Sequence, residues 1–346
     1  MHYLELGRTG IQVSRICLGT MTFGEQNTPT ESFAMMDMAL ERGVNFFDTA
    51  EMYSFPASRE TQGDSERIIG DWMVDRGNRD KILVATKITG PRESFSHVRD
   101  GDLSFGRKQI TDAVDQSLQR LKTDYIDLYQ LHWPERTTNF FGTLEYSHVD
   151  DEEWVAFEEV LDALAGFVKD GKIRAIGCSN ETPWGLMKML ALADQAGLPR
   201  MASIQNPYSL LNRVFEVGLS EVAIREECGL LAYSPLAFGM LSGKYLTDKW
   251  PENSRLALYP QYARYSQPRA TAATRAYVDL AREHGLDPSQ MALAFVNSRR
   301  FLTSNIIGAT TLEQLEVNIA SDDLVLSDEV LSSIEAIHGA DPNPAP

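Results

Sequence analysis

A chain of 346 residues, 43% hydrophobic and 23% charged, holds enough apolar material for one large core and lacks the composition of a disordered segment. Its 49 Asp and Glu outnumber 32 Lys and Arg, and the net charge of −17 repels phosphate backbones and anionic lipid, so neither nucleic acid nor membrane is an expected partner. Cys17, Cys178 and Cys228 are too scattered for a zinc site or a redox dithiol, and neither a leader-like start nor a long apolar run marks export; a cytoplasmic protein without a resident metal is expected.

The opening residues 3–16 read as a hairpin turning at Arg8-Thr9-Gly10, placed to close the floor of a barrel. Beyond it, short apolar runs alternate with stretches of helical spacing. Strands are expected at 16–19, 45–49, 82–87, 126–132, 174–178, 202–205, 230–233 and 304–307, and helices at 31–42, 65–74, 109–121, 154–167, 183–195, 216–227, 288–298 and 312–320. Thr30, Thr111 and Asp287 are available as helix caps, and Gly43 and Gly171 stand where helices should stop. This alternation predicts a single α/β domain over 1–346, a (β/α)8 TIM barrel with an N-terminal β-hairpin. Segments 88–107, 133–153 and 234 to about 270 are too long for tight turns. Each follows a strand, so they should gather at the C-terminal face, where such barrels build their sites. The Pro-rich 341–346, after a helix around 330–337, is expected to be a loose tail.

Three expected strands end on or just before a titratable residue: Asp48, Lys87 and His132. Tyr53 follows Asp48 on the next loop, so a carboxylate, an ammonium, an imidazole and a phenol are expected to share the barrel mouth. Buried charges need partners, and an Asp48–Lys87 pair satisfies both. No Gly-x-Gly-x-x-Gly lies between a strand and a helix, so a doubly wound dinucleotide fold has no support.

The run Gly43-Val44-Asn45-Phe46-Phe47-Asp48-Thr49-Ala50-Glu51-Met52-Tyr53, followed by Gly63-Asp64-Ser65-Glu66, resembles the long signature of the aldo-keto reductases. The likeness continues in order through Leu83-Val84-Ala85-Thr86-Lys87, Asp127-Leu128-Tyr129-Gln130-Leu131-His132, Gly171 to Asn180, Gln205 to Ser209, Tyr233-Ser234-Pro235-Leu236 and Gly308-Ala309-Thr310-Thr311. It covers almost the whole chain and is similar to the Tas-like branch, related to potassium-channel β subunits. The resemblance implies an enzyme that reduces a carbonyl with NADPH through Asp48, Tyr53, Lys87 and His132. Hydride addition to a carbonyl builds an alkoxide that must be protonated as it forms. Tyr53 is expected to supply that proton, with Lys87 lowering a phenol pKa that is ordinarily about 10 and Asp48 holding Lys87. His132 is expected to position the carbonyl oxygen by donating a hydrogen bond.

On the cofactor side, the resemblance implies that Ser179, Asn180 and Gln205 bind the nicotinamide carboxamide while Tyr233 stacks on its ring. Ser234, Leu236 and Gly239 would line the pyrophosphate, and Lys244 and Arg255 would meet the adenosine 2′-phosphate, favouring NADPH over NADH. Thr310, Gln314 and Asn318 would complete the adenosine end at a helix start. Val317 departs from the pattern, because many relatives carry an acid there for the adenine amino group. Phe23, Phe55, Trp133, Phe140 and Phe141 are expected to wall an apolar pocket for a small-molecule carbonyl substrate. Two other functions stay open: an NADPH-binding regulatory or sensor subunit, and a Schiff-base aldolase with Lys87 as nucleophile, which the neighbouring Asp48, Tyr53 and cofactor motifs count against. Glu51, Asp127 and Cys178 read as structural, and no coiled coil or interface stripe sets an oligomeric state.

Overall fold

The computed structural model describes Met1–Pro346. Strands β1 (Tyr3–Glu5) and β2 (Gln12–Ser14) form an antiparallel ribbon. The chain then runs β3 (Ile16–Gly19), α1 (Pro29–Glu41), β4 (Phe46–Asp48), α2 (Asp64–Arg76), β5 (Leu83–Ile88), α3 (Arg107–Leu121), β6 (Ile126–Leu131), α4 (Phe157–Lys169) and β7 (Ile173–Ser179). It continues α5 (Pro183–Ala196), β8 (Met201–Pro207), α6 (Leu219–Arg225), β9 (Gly229–Tyr233), α7 (Arg255–Leu258), α8 (Pro268–Glu283), α9 (Pro288–Asn297), β10 (Leu302–Ile307), α10 (Leu312–Ala320) and α11 (Asp328–Ala340). Strands β3 to β10 are parallel and close into a barrel in chain order, with β10 beside β3, so every strand expected from the sequence is present and no edge of the barrel is left open.

The barrel is filled differently at its two ends. Near the floor, inward residues Cys17, Phe46, Ala85, Leu128, Leu231 and Ile306 form one apolar cluster with Leu6, Ile11 and Val13 of the ribbon. Gly7 sits at φ 59° against Ala202, whose carbonyl oxygen would lie 2.7 Å from any Cβ added there, so glycine lets the ribbon seat this closely. Outward residues such as Phe47, Val84, Tyr129 and Ile204 join the apolar faces of the helices in a larger core. No helix is long and apolar enough to cross a membrane.

Several local expectations change. Thr28, not Thr30, caps α1: it accepts from Glu31 N at 3.3 Å while the Glu31 carboxylate accepts from Thr28 N at 2.8 Å. Thr111 lies inside α3, donating to Arg107 O at 2.8 Å, and Gly106 stands at the cap instead. Asp287 does cap α9, accepting from Gln290 N at 3.0 Å, and Gly43 and Gly171 turn the chain after α1 and α4 at φ 86° and 75°. The helix expected at 216–227 is shortened by Gly218, at φ 114°. Helix α8 fills a stretch for which the sequence suggested no element. Its buried positions are Ala270, Ala273, Thr274, Tyr277, Val278, Leu280 and Ala281, and the small and polar residues of its first half make the apolar signal begin late.

The tail at 341–346 is docked, not loose. Arg213 N donates to Asn343 Oδ1 at 2.6 Å, Ala345 N to Leu211 O at 3.1 Å and Arg264 Nε to Pro346 O at 2.6 Å. Prolines at 342, 344 and 346 leave little backbone entropy to lose, so a few bonds suffice to hold the segment.

Candidate active site

Three neighbouring strands and the loops that follow them bring the titratable residues together. Asp48 ends β4, Lys87 lies near the end of β5, His132 follows β6, and Tyr53 sits on the loop after β4. Lys87 Nζ donates to Asp48 Oδ2 at 2.6 Å and to Thr49 O at 2.7 Å, and lies 5.0 Å from the centroid of the Tyr53 ring. The Tyr53 and His132 rings meet edge to face with centroids 5.7 Å apart. Lys87 is fully buried and Asp48 nearly so, while Tyr53 and His132 keep 9% and 7% exposure.

The Tyr53 loop is fixed from behind. Glu51 is fully buried and accepts from Thr89 N and from Arg99, which also donates to Thr89 O at 3.0 Å. Arg99 and Asp100 both adopt left-handed backbone, at φ 46° and 55°, where the loop after β5 turns the guanidinium inward. This clamp joins the loops after β4 and β5 and gives Glu51 the structural role expected of it.

Burial sets the electrostatics. It pushes the Lys87 ammonium toward neutrality, but Asp48 and Tyr53 outweigh it and hold its pKa above the ordinary lysine value. Burial also raises the Tyr53 phenol above its ordinary value. Lys87 pulls it down, as expected, yet not far enough, because burial and Asp48 act the other way. His132 is held well below the ordinary histidine value by burial and then by Lys87, so its imidazole is neutral at neutral pH. Its Nδ1 is buried without a partner. A neutral imidazole and a protonated phenol facing one pocket can both serve a single substrate oxygen.

The residues expected around a nicotinamide converge on the same mouth. Ser179 pairs with Gln205 across β7 and β8, and its hydroxyl donates to Gln205 O at 2.7 Å. Asn180, at φ 54°, donates from Nδ2 to His132 O at 2.9 Å and accepts from Tyr233 OH at 2.6 Å. The Gln205 side chain is engaged with Asp48, its Nε2 lying 2.8 Å from Oδ1. Past β9, Ser234, Ala237, Phe238 and Gly239 all have positive φ, and a Cβ on Gly239 would lie 2.9 Å from Lys244 Cε. Lys244 and Arg255 are half-buried, close enough that Arg255 depresses the Lys244 pKa after burial does, and neither appears in any ion pair. Arg255 rests on the Phe238 ring at 5.0 Å.

Thr310, Gln314 and Asn318 form a separate group, with Thr310 just before α10, Gln314 in its first turn and Asn318 near its end. Gln314 Oε1 is turned back onto Thr310, accepting from its N at 3.0 Å, and Asn318 donates to Gly308 O at 3.2 Å, so both amides are occupied within the fold. Of the expected aromatic wall, Phe55, Trp133 and Phe140 pack with Tyr53, Val98 and Leu103, and Phe141 meets Trp133 and Phe140. Phe23 does not take part; it is fully buried in the main core. His2, Asp322 and Asp323 bring potential ligand atoms together on the outside of the barrel, but Arg15 already holds Asp322 at 2.8 Å.

Gln130 was not singled out from the sequence, yet it is buried in the barrel and donates to Asp48 Oδ1 at 3.3 Å. The signal was available in strand parity: on β6 an inward Leu128 implies an inward Gln130, the residue two before His132.

Against known proteins, the chain is 49% identical to Protein tas of Escherichia coli K12 over 346 residues, covering all of both chains. It is 30% identical to L-glyceraldehyde 3-phosphate reductase of E. coli O157:H7 over 97% of this chain and 92% of the relative. It is also 30% identical to a probable voltage-gated potassium channel subunit beta of Oryza sativa over 97% and 96%. The family model described as Aldo/keto reductase family matches residues 15–338. With a closed parallel barrel, a buried Asp48–Lys87 pair beneath Tyr53 and His132, and this match along nearly its whole length, the chain belongs to the aldo/keto reductase family of oxidoreductases.

Proposed function

We propose that this protein is an NADPH-dependent carbonyl reductase in which Tyr53 is the general acid. The observation that carries this reading is the Lys87 ammonium, fully buried against the Asp48 carboxylate and near the Tyr53 ring, with a neutral His132 edge to face against the phenol ring.

The residues present suit the cofactor. In a chain with a net charge of −17, the half-buried Lys244 and Arg255 without carboxylate partners, beside the narrow Gly239 turn, make a seat for phosphate anions. Ser179, Asn180 and Gln205 would hold the carboxamide, Tyr233 the ring, and Ser234, Leu236 and Gly239 the pyrophosphate. Thr310, Gln314 and Asn318 would take the adenosine end after their side chains turn outward. A reduced nicotinamide bound there supplies the hydride.

The protein's own part follows from charge. Tyr53 and His132 donate to the carbonyl oxygen, which polarises the C=O bond and leaves its carbon open to hydride. As the π pair moves onto oxygen, Tyr53 passes over its proton and becomes a phenolate, which Lys87 stabilises at once. A proton from solvent then restores the phenol. Burial keeps Tyr53 protonated up to high pH, which suits an acid used in the reductive direction. Phe55, Trp133 and Phe140 would shield the reacting groups and favour an apolar or aromatic carbonyl compound. The three buried free cysteines support work in a reducing cytoplasm.

The test is NADPH consumption with a panel of aromatic and aliphatic aldehydes. Tyr53→Phe should lose about 100- to 10,000-fold in kcat while binding NADPH normally. Tight NADPH binding without turnover of any carbonyl would instead favour the regulatory reading, which the likeness to a potassium channel subunit beta keeps in view.

A further inference from the structure

Gln130 stands opposite Lys87 in the β5–β6 register and is fully buried. Its amide closes a triangle inside the barrel. Gln130 Nε2 donates to Asp48 Oδ1 at 3.3 Å, Gln205 Nε2 donates to the same oxygen at 2.8 Å, and Gln205 Nε2 also approaches Gln130 Oε1 at 3.2 Å. The second carboxylate oxygen, Oδ2, holds Lys87 at 2.6 Å. Asp48 is therefore shared between neutral amides on one side and an ammonium on the other.

We propose that Gln130 is a positioning residue for the reduction: its amide aims Asp48 and takes up part of its charge, so that the charge of Lys87 stays turned toward Tyr53. The proposal rests on the reading of Tyr53 as the acid. A carboxylate with fewer donors on Oδ1 concentrates its charge on Oδ2, draws Lys87 closer and neutralises it further. In an interior of low effective dielectric, one lost N–H dipole is felt at the next residues. The potential at Tyr53 becomes more negative, and a phenol in a more negative potential holds its proton to higher pH.

The other titratable and charged groups around this centre are Cys17 on β3, Lys87 on β5, His132 after β6, Tyr233 on β9 and Arg255 on α7. Gln130 itself carries no charge, so replacing it alters the dipoles around Asp48 without adding a titration. The triangle has a second consequence. Gln205, proposed to hold the carboxamide, is fixed by the same two partners, which links the nicotinamide seat to the acid.

Gln130→Met keeps length and volume without the donor, and Gln130→Glu keeps the shape but adds negative charge. Protein labelled with 13C at tyrosine Cζ would be titrated by NMR, free and with NADP+, the Tyr53 resonance being the one absent from Tyr53→Phe. The Tyr53 ionisation should rise by about one pH unit in Gln130→Met and further in Gln130→Glu. With an aldehyde substrate, kcat at neutral pH should fall about tenfold in Gln130→Met, with the basic limb of its pH profile moved up by the same amount. KM and NADPH affinity should change less than about twofold. An unmoved Tyr53 ionisation in both variants overturns the proposal. So does weakened NADPH binding with an unshifted profile, which would make Gln130 only a support for Gln205. A shifted ionisation in a protein that reduces no carbonyl leaves Gln130 in its role and removes the reading of Tyr53 as the acid.

Discussion

The two ends of the barrel are equally buried and are built on opposite terms. At the floor, Leu6, Ile11 and Val13 of the ribbon meet Cys17, Phe46 and Leu128, and no charge is present in that cluster. A few residues further along the same strands, Asp48, Lys87 and Gln130 occupy inward positions, with Tyr53 and His132 above them. Apolar burial at the floor stabilises the fold by roughly 1.5 to 3 kcal/mol per large side chain. The charged layer costs desolvation energy that its internal pairing recovers only in part. One end holds the barrel shut, and the other uses that rigidity to keep an ammonium where water would otherwise solvate it.

This contrast can be broken experimentally. Lys87→Met should show the largest effect, a loss of about 100- to 10,000-fold in kcat, together with about 3 to 5 kcal/mol of stability because Asp48 is left buried and unpaired. Adding Asp48→Asn should recover much of that stability in denaturant titrations without restoring activity. Leu6→Ala, at the other end, should cost about 2 to 5 kcal/mol in the same titrations while kcat below the melting transition stays unchanged. A large change in kcat for Leu6→Ala would mean that the ends are not independent. Arg255→Leu should weaken NADPH binding about tenfold and leave NADH nearly unaffected, read by fluorescence titration.

The smallest effect concerns pH. His132 is buried and neutral, with its pKa held well below the ordinary 6.5, so the unfolded chain takes up this proton first as pH falls. Its neutral burial is therefore free of penalty above pH 6.5, and stability is lost progressively below that until the folded pKa is reached. Between pH 8 and pH 6 the loss from this one group is about 1 kcal/mol, and it should be absent in His132→Gln when unfolding free energies are compared across that range.

The barrel was legible because its strands are short apolar runs separated by helices, a pattern that survives even where boundaries move by a residue or two. Asp48, Lys87 and His132 could be placed together because parallel strands deliver their ends to one mouth. What escaped did so for identifiable reasons. Helix α8 buries only alanines and a threonine in its first half, and its large apolar residues Tyr277, Val278 and Leu280 all fall in the second, so its period starts late. The cap of α1 fell two residues early because Pro29 hides the start behind Thr28. The net direction of the Tyr53 pKa depends on how deeply the loop after β4 is buried, which no residue pattern encodes. The docking of 343–346 onto Leu211, Arg213 and Arg264 joins segments far apart in the chain and leaves no local trace.

The seated ribbon has one more effect. With Gly7 pressed on Ala202 and apolar side chains filling the lower barrel, the charged layer rests on packed, non-polar residues. If Tyr53 is the acid, a proton it gives up would be replaced through the mouth by which reactants would arrive and depart. On that reading, whatever covers the mouth would also decide when the phenol is recharged, and solvent isotope effects on turnover would report on product departure as well as on the transfer of the proton itself.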